Sequence, residues 1–144
     1  MKTPTLKVTI PVLLILPMLF AMALAAQDYK QSETLLDTKE TVIGEQIHYP
    51  DGSPAEIKSM VIILPPGEKT AWHKHGVPLY AYILSGELEV DYGKAGKRTY
   101  HAGDNFMEAM GTYHQGHNYG QQPVRILAVF MGGAGQPLVI PRRN

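Results

Sequence analysis

From Ser32 onward, apolar and polar residues alternate along the chain instead of recurring at helical spacing. Period-two alternation sends successive side chains to opposite faces of an extended backbone, so each such stretch describes a strand with one buried face. The pattern predicts strands over residues 41–49, 56–64, 69–75, 79–84, 87–92, 98–101, 105–110, 113–118 and 124–130. Turn residues separate them, as in Pro65-Pro66-Gly67, Ser85-Gly86, Ala102-Gly103-Asp104 and Gly120-Gln121-Gln122-Pro123, with Asp51-Gly52-Ser53-Pro54 after the first. Residues 32–39 have room for one helical turn, and no later stretch carries an amphipathic helix. Many short strands joined by tight turns predict an all-β double-sheet jelly roll.

The amino terminus breaks this pattern. Lys2 and Lys7 precede an apolar run over residues 8–22, and Ala23-Leu24-Ala25 supplies the small-x-small sequence of a signal-peptidase site. The expectation is a signal peptide over residues 1–25, export, and a periplasmic or secreted protein. An uncleaved membrane anchor is the rival, since the run approaches the ~20 residues that span a bilayer. Pro11 and Pro17 interrupt it, which favours cleavage after Ala25 and no membrane contact thereafter. The remainder divides into an N-terminal extension (26–40), a barrel (41–135) and a solvated C-terminal tail (136–144), with Arg142 and Arg143 as solubilising charges.

Composition narrows the function classes. At 144 residues the chain is sized for one domain. Thirteen basic residues balance thirteen acidic ones, and losing Lys2 and Lys7 with the leader leaves 11 − 13, or −2. Nucleic acid is therefore not an expected partner, because phosphate binding needs clustered Lys and Arg. With no cysteine, disulfides, thiolate ligands and a cysteine nucleophile are excluded, and any metal must sit on nitrogen and oxygen.

Six histidines remain to be placed. His73 and His75, two apart on one expected strand, leave the same face of the sheet. Two imidazoles side by side on an inward face are costly unless bonded or ligated, and a shared ion accounts for both. The alternative is a metal-free barrel whose rings bond to one another and to water.

Gly67, five residues, His73-x-His75, and Gly86 eleven positions on together resemble the first cupin motif in spacing. Gly103, five residues, Ala109-x-Gly111, two residues, His114, three residues and Asn118 are similar to the second, with Ala109 where that family usually carries proline. The resemblance implies a cupin double-stranded β-helix, or jelly-roll barrel, with His73, His75 and His114 as ligands to one divalent metal ion, whether zinc, iron, manganese, copper or nickel. It also implies a glutamate four residues after the second histidine, where this chain has Leu79. Three neutral imidazoles would leave the ion's charge uncompensated and its open positions available to water, an anion or substrate.

Glu108 is the nearby carboxylate. The turn at Gly111 breaks strand parity, so its direction stays open: outward it is a surface residue or hydrogen-bond partner, inward a ligand or general base. Asn118 shares the face of His114 and either satisfies backbone in a turn or touches ligand. His117, at an odd offset from His114, is expected on the opposite face, and His48 and His101 have no partner at ligand spacing. Met107, Met110, Tyr80, Tyr82, Phe106 and Phe130 are expected in the core or an interface, and Trp72 on the face opposite His73. Large apolar residues on both faces of a sheet predict a homodimer. Within the resemblance, the expected function is an exported metal-binding cupin acting on a small-molecule ligand or substrate, as an oxygenase or isomerase. The alternative is a non-catalytic metal- or ligand-binding accessory domain.

Overall fold

In a computed structural model of the protein, residues 31–49 and 52–143 are described. The leader expected over residues 1–25, Pro50, Asp51 and Asn144 lie outside them. Among the described residues the strands are β1 (Ala55–Leu64), β2 (His73–Lys74), β3 (Leu79–Ser85), β4 (Glu87–Asp91), β5 (Lys97–His101), β6 (Asn105–Met107), β7 (Gln115–His117), β8 (Val124–Gly133) and β9 (Ile140–Pro141), with a 3-10 turn at Gly93–Ala95. All pairings are antiparallel. One sheet has the order β1-β8-β3-β6, a second β5-β4-β7, and β2 and β9 form a two-stranded ribbon. The all-β barrel expected from the alternation is the observed architecture.

The alternation explains what lies between the sheets. On β3, Leu79, Ala81 and Ile83 are buried while Tyr80 and Tyr82 between them are partly exposed; on β4, Leu88 and Val90 turn inward. Ala81, Ile83, Leu88 and Val90 pack with Tyr92, Tyr100, Phe106 and Val124 into one cluster drawn from both sheets. A second cluster, Val77, Leu79, Ala128 and Phe130, lies beside it. Gly86 joins β3 to β4 at φ +83°, a conformation that L side chains rarely adopt, and a Cβ there would meet the Val124 Cα at 2.9 Å. The glycine of the first motif is thus needed by the turn and by the close approach of β8.

Four segments depart from expectation, three because side chains or turns take over backbone hydrogen bonds and the last because the chain end pairs as a strand. Residues 41–49 are not a strand. The Thr41 N–H bonds to the Glu45 carbonyl at 2.8 Å and the chain reverses through Gly44 at φ +84°, leaving one bridge between Glu40 and Gln46. β6 stops at Met107 instead of reaching 110, because the Ala109 N–H is taken by the Glu108 carboxylate (2.8 Å) and the Met110 N–H by Glu45 (2.7 Å). Residues 69–75 form ladder pairs only at β2; elsewhere they meet residues 114–117 through isolated bridges, with the Thr70 hydroxyl accepting the Gly116 N–H at 3.0 Å. Lastly, the segment expected as a solvated tail is paired: β9 lies against β2, and the Arg142 N–H donates to the Trp72 carbonyl at 2.9 Å. Pro141, Arg142 and Arg143 are nonetheless exposed, as solubilising residues would be.

Candidate metal centre

His73 and His114 oppose each other across an antiparallel bridge, exchanging both backbone hydrogen bonds at 3.0 and 2.8 Å. Directly opposed residues send their side chains to the same face, and His75, two residues on, joins them there. The ring centroids stand 4.6 Å apart for His73 and His114, 5.0 Å for His73 and His75, and 5.1 Å for His75 and His114. One nitrogen from each ring lies within 4.8 Å of the other two, so the group could hold a metal ion.

The other nitrogens are already committed. Nδ1 of His73 meets the Ala71 carbonyl at 2.7 Å, Nδ1 of His75 the Leu138 carbonyl at 3.0 Å, and Nδ1 of His114 the Thr112 carbonyl at 3.0 Å. A carbonyl only accepts, so each Nδ1 carries the proton and each Nε2 presents a lone pair. This is the outer support that metal-ligating histidines ordinarily have. Burial pulls all three rings below the usual 6.5, His75 to about 3, against the opposing pull of the carbonyl bonds. The rings are therefore neutral near pH 7. The Nε2 of His114 is buried with no hydrogen-bond partner, which is costly for a polar atom unless something ligates it.

The rings face a cavity of about 100 Å³, smaller than the ~150 Å³ space that accommodates benzene in an engineered protein core. Its walls are largely apolar, with Leu79, Phe106, Ile126 and Phe130 among them. Glu108 also lines it, is buried, and points inward with Oε2 3.9 Å from His114 Nε2. Of the alternatives open from sequence, the exposed surface residue is thus ruled out, while the hydrogen-bond partner holds in part: the carboxylate accepts from the Ala109 N–H. Burial pushes its carboxyl up to about 7, against the Ala109 N–H and the Tyr92 hydroxyl, which favour the charged form.

The other expected candidates stand apart. Asn118 is buried but does not line the cavity: its Nδ2 donates to the carbonyls of Leu64 (2.9 Å) and Gln122 (2.8 Å), and its Oδ1 accepts the Gly120 N–H at 2.9 Å. Asn118→Ala strands three backbone groups and should lower stability by about 3 kcal/mol, read by urea denaturation, with metal affinity unchanged. A loss below roughly 1 kcal/mol would contradict that role. His117 lies outside the cavity and packs on Tyr119 at 3.6 Å between ring centroids. His101 pairs with Glu87 at the surface and His48 is exposed.

Two contributors lie outside the residues singled out from the sequence. Glu45, in the N-terminal segment, accepts from the Met110 N–H (2.7 Å) and the Thr112 hydroxyl (2.8 Å), fixing the loop whose Thr112 carbonyl holds His114. Leu138 holds His75 through its carbonyl, and Val139 lines the cavity, so the expected tail supplies part of the site. The apolar run Leu138-Val139-Ile140 was the available signal.

Residues 60–130 match the family model of the Cupin domain. No curated protein matches the chain in sequence. Among solved structures, the polyketide cyclase RemF from Streptomyces resistomycificus is similar with a TM-score of 0.54 and 21% identity, over 69% of this chain and 68% of that one. The Lactobacillus farciminis oxalate decarboxylase formate complex has a TM-score of 0.50 and 20% identity over 65% of this chain and 32% of that one. A cupin 2 domain-containing protein from Halorhodospira halophila has a TM-score of 0.50 and 18% identity over 60% and 58%. The chain thus spans less than two thirds of the latter two proteins, and at such identities the likeness speaks to the fold. The sequence match over residues 60–130 is to the Cupin domain, and the neighbours share the fold.

Proposed function

We propose that this cupin-fold chain holds one divalent cation on His73, His75 and His114 and binds a small organic molecule at the ion's open side. The observation that carries this is the set of three Nδ1–carbonyl bonds, which leave three Nε2 lone pairs directed inward, one of them buried and unpartnered. A bound divalent ion would act as a Lewis acid toward an oxygen of the ligand. The protein's own part is to fix the ring tautomers, keep the rings neutral and surround the site with apolar walls. The small cavity favours a compact ligand. Metal-dependent turnover, as an oxygenase or isomerase, is the proposed use, and a non-catalytic binding domain is its competitor.

The test is metal analysis of the gently purified protein beside His73→Ala and His114→Ala. Near-stoichiometric metal in the wild type and its loss in both variants is the expected result; equal traces in all three would end the proposal. Oxygen uptake and product analysis with small phenols, keto acids and thiols then separate enzyme from binder, since retained metal without turnover favours the latter. Export is part of the same proposal, and the intact mass of the exported protein should correspond to cleavage after Ala25. We also propose a homodimer, for which Ile57, Val61 and Ile63, exposed on one face of β1, supply apolar surface; light scattering on the same sample reads it.

A further inference from the structure

We infer that Glu108 is a fourth protein ligand of this cation, reaching it from β6's continuation at the place on the barrel wall adjoining Leu79. The inference rests on the three-histidine reading above and adds a donor to it.

The argument begins with register. β3 and β6 pair Tyr80 with Met107 and Ala81 with Phe106, and one step further the Glu108 N–H donates to the Leu79 carbonyl at 2.9 Å. Leu79 and Glu108 are therefore cross-strand neighbours, and neighbours in this sense present their side chains on one face. Both line the cavity that the histidines face. Leu79 stands where the first motif's spacing would put a carboxylate; in space, the carboxylate has moved by one strand and remains beside the same patch of wall.

Electrostatics makes the position more than a coincidence. Three neutral imidazoles bring no charge to a divalent cation, and a carboxylate supplies both a donor oxygen and a compensating charge. Glu108 is the one acidic side chain among the described residues that line the cavity. Burying a carboxyl among apolar residues is costly without partners. Its Oε1 has one in the Ala109 N–H at 2.8 Å, which anchors the group, while Oε2 stands 3.9 Å from the unpartnered Nε2 of His114. An ion between those two atoms would satisfy both.

The experiment is metal titration by calorimetry or chelator competition on the full mature chain with manganese(II) and zinc(II), using wild type, Glu108→Gln, Leu79→Glu and the double variant. Glutamine keeps an oxygen for the Ala109 N–H but loses the charge, so the fold should persist. Glu108→Gln is expected to bind manganese at least about tenfold more weakly, and to lose less zinc affinity, because imidazole suits zinc whereas carboxylate suits manganese. Leu79→Glu should restore the lost affinity in the Glu108→Gln background and add much less to wild type, where the carboxylate is already present. A residue that only props the fold would lower both metals alike and would not be rescued from the neighbouring strand. Wild-type affinities in Glu108→Gln, or an equal gain from Leu79→Glu in both backgrounds, would overturn the inference while leaving the histidine site intact. Absence of binding in all four proteins would overturn both.

Discussion

Stripped of metal and titrated with a divalent cation in about hundredfold excess over its dissociation constant, the protein should melt roughly 10 °C higher or more. Binding that is confined to the folded state contributes RT ln(1 + [L]/Kd), about 2.7 kcal/mol at that excess. For a barrel of this size each kcal/mol moves the melting temperature by about 4 °C or more. The effect should be large because the site is built from backbone-fixed rings. His73 and His114 are locked together by a bridge, and their tautomers are set by the carbonyls of Ala71 and Thr112, so little ordering remains to oppose binding. The unfolded chain has no such convergence. His114→Ala should abolish the increment; because it also removes a buried ring and its bond to the Thr112 carbonyl, the metal-free melting temperature falls as well, and the increment is read against each variant's own metal-free value. Differential scanning fluorimetry with zinc, manganese, iron(II), nickel and copper(II) measures it, and an increment that survives His114→Ala would place the cation elsewhere.

What the sequence disclosed and what it hid divide along a physical line. Strands with one face in the core were visible as alternation, and β3, β4 and β8 lie close to where the pattern put them because burial itself imposes period two. The inward pairing of His73 and His75 follows from the same period. Elements failed where a carboxylate competed for backbone N–H groups: Glu45 and Glu108 end β6 early, and an acidic residue with that role looks no different in sequence from an exposed one. Carbonyl partners are hidden more deeply, because every residue has one. Nothing in the identity of Leu138 says that its oxygen holds His75. The position of Glu108 depended on the β3–β6 register, a relation between strands that spacing along the chain cannot express.

The same buried groups set an acid sensitivity in the metal-free protein. The three rings are held below 6.5 chiefly by burial, and unfolding returns them to that value. Between the folded and unfolded values the unfolded chain binds more protons, so the rings' contribution to stability is fully present above pH 6.5 and is lost as the pH falls toward the folded values, near 3 for His75. Glu108 runs the other way. Burial raises it from 4.5 to about 7, so its protonated form favours the fold below pH 4.5 and that contribution is lost as the pH rises through 7. In the window from 4.5 to 6.5, three rings oppose one carboxyl, and three minus one leaves at most two protons of net uptake on unfolding. That bounds the slope at roughly 3 kcal/mol per pH unit, with less realised because His73 is only partly buried and water screens it. Stability of the metal-free protein should therefore fall from pH 6.5 to pH 5, measured as a lower urea midpoint in the presence of chelator. Glu108→Gln removes the opposing carboxyl and should steepen the fall, whereas His75→Gln should flatten it by one proton. A midpoint that is level, or rises, between pH 6.5 and pH 5 would mean that the rings are not held neutral by burial, and the tautomers inferred from their carbonyl bonds would have to be reassigned.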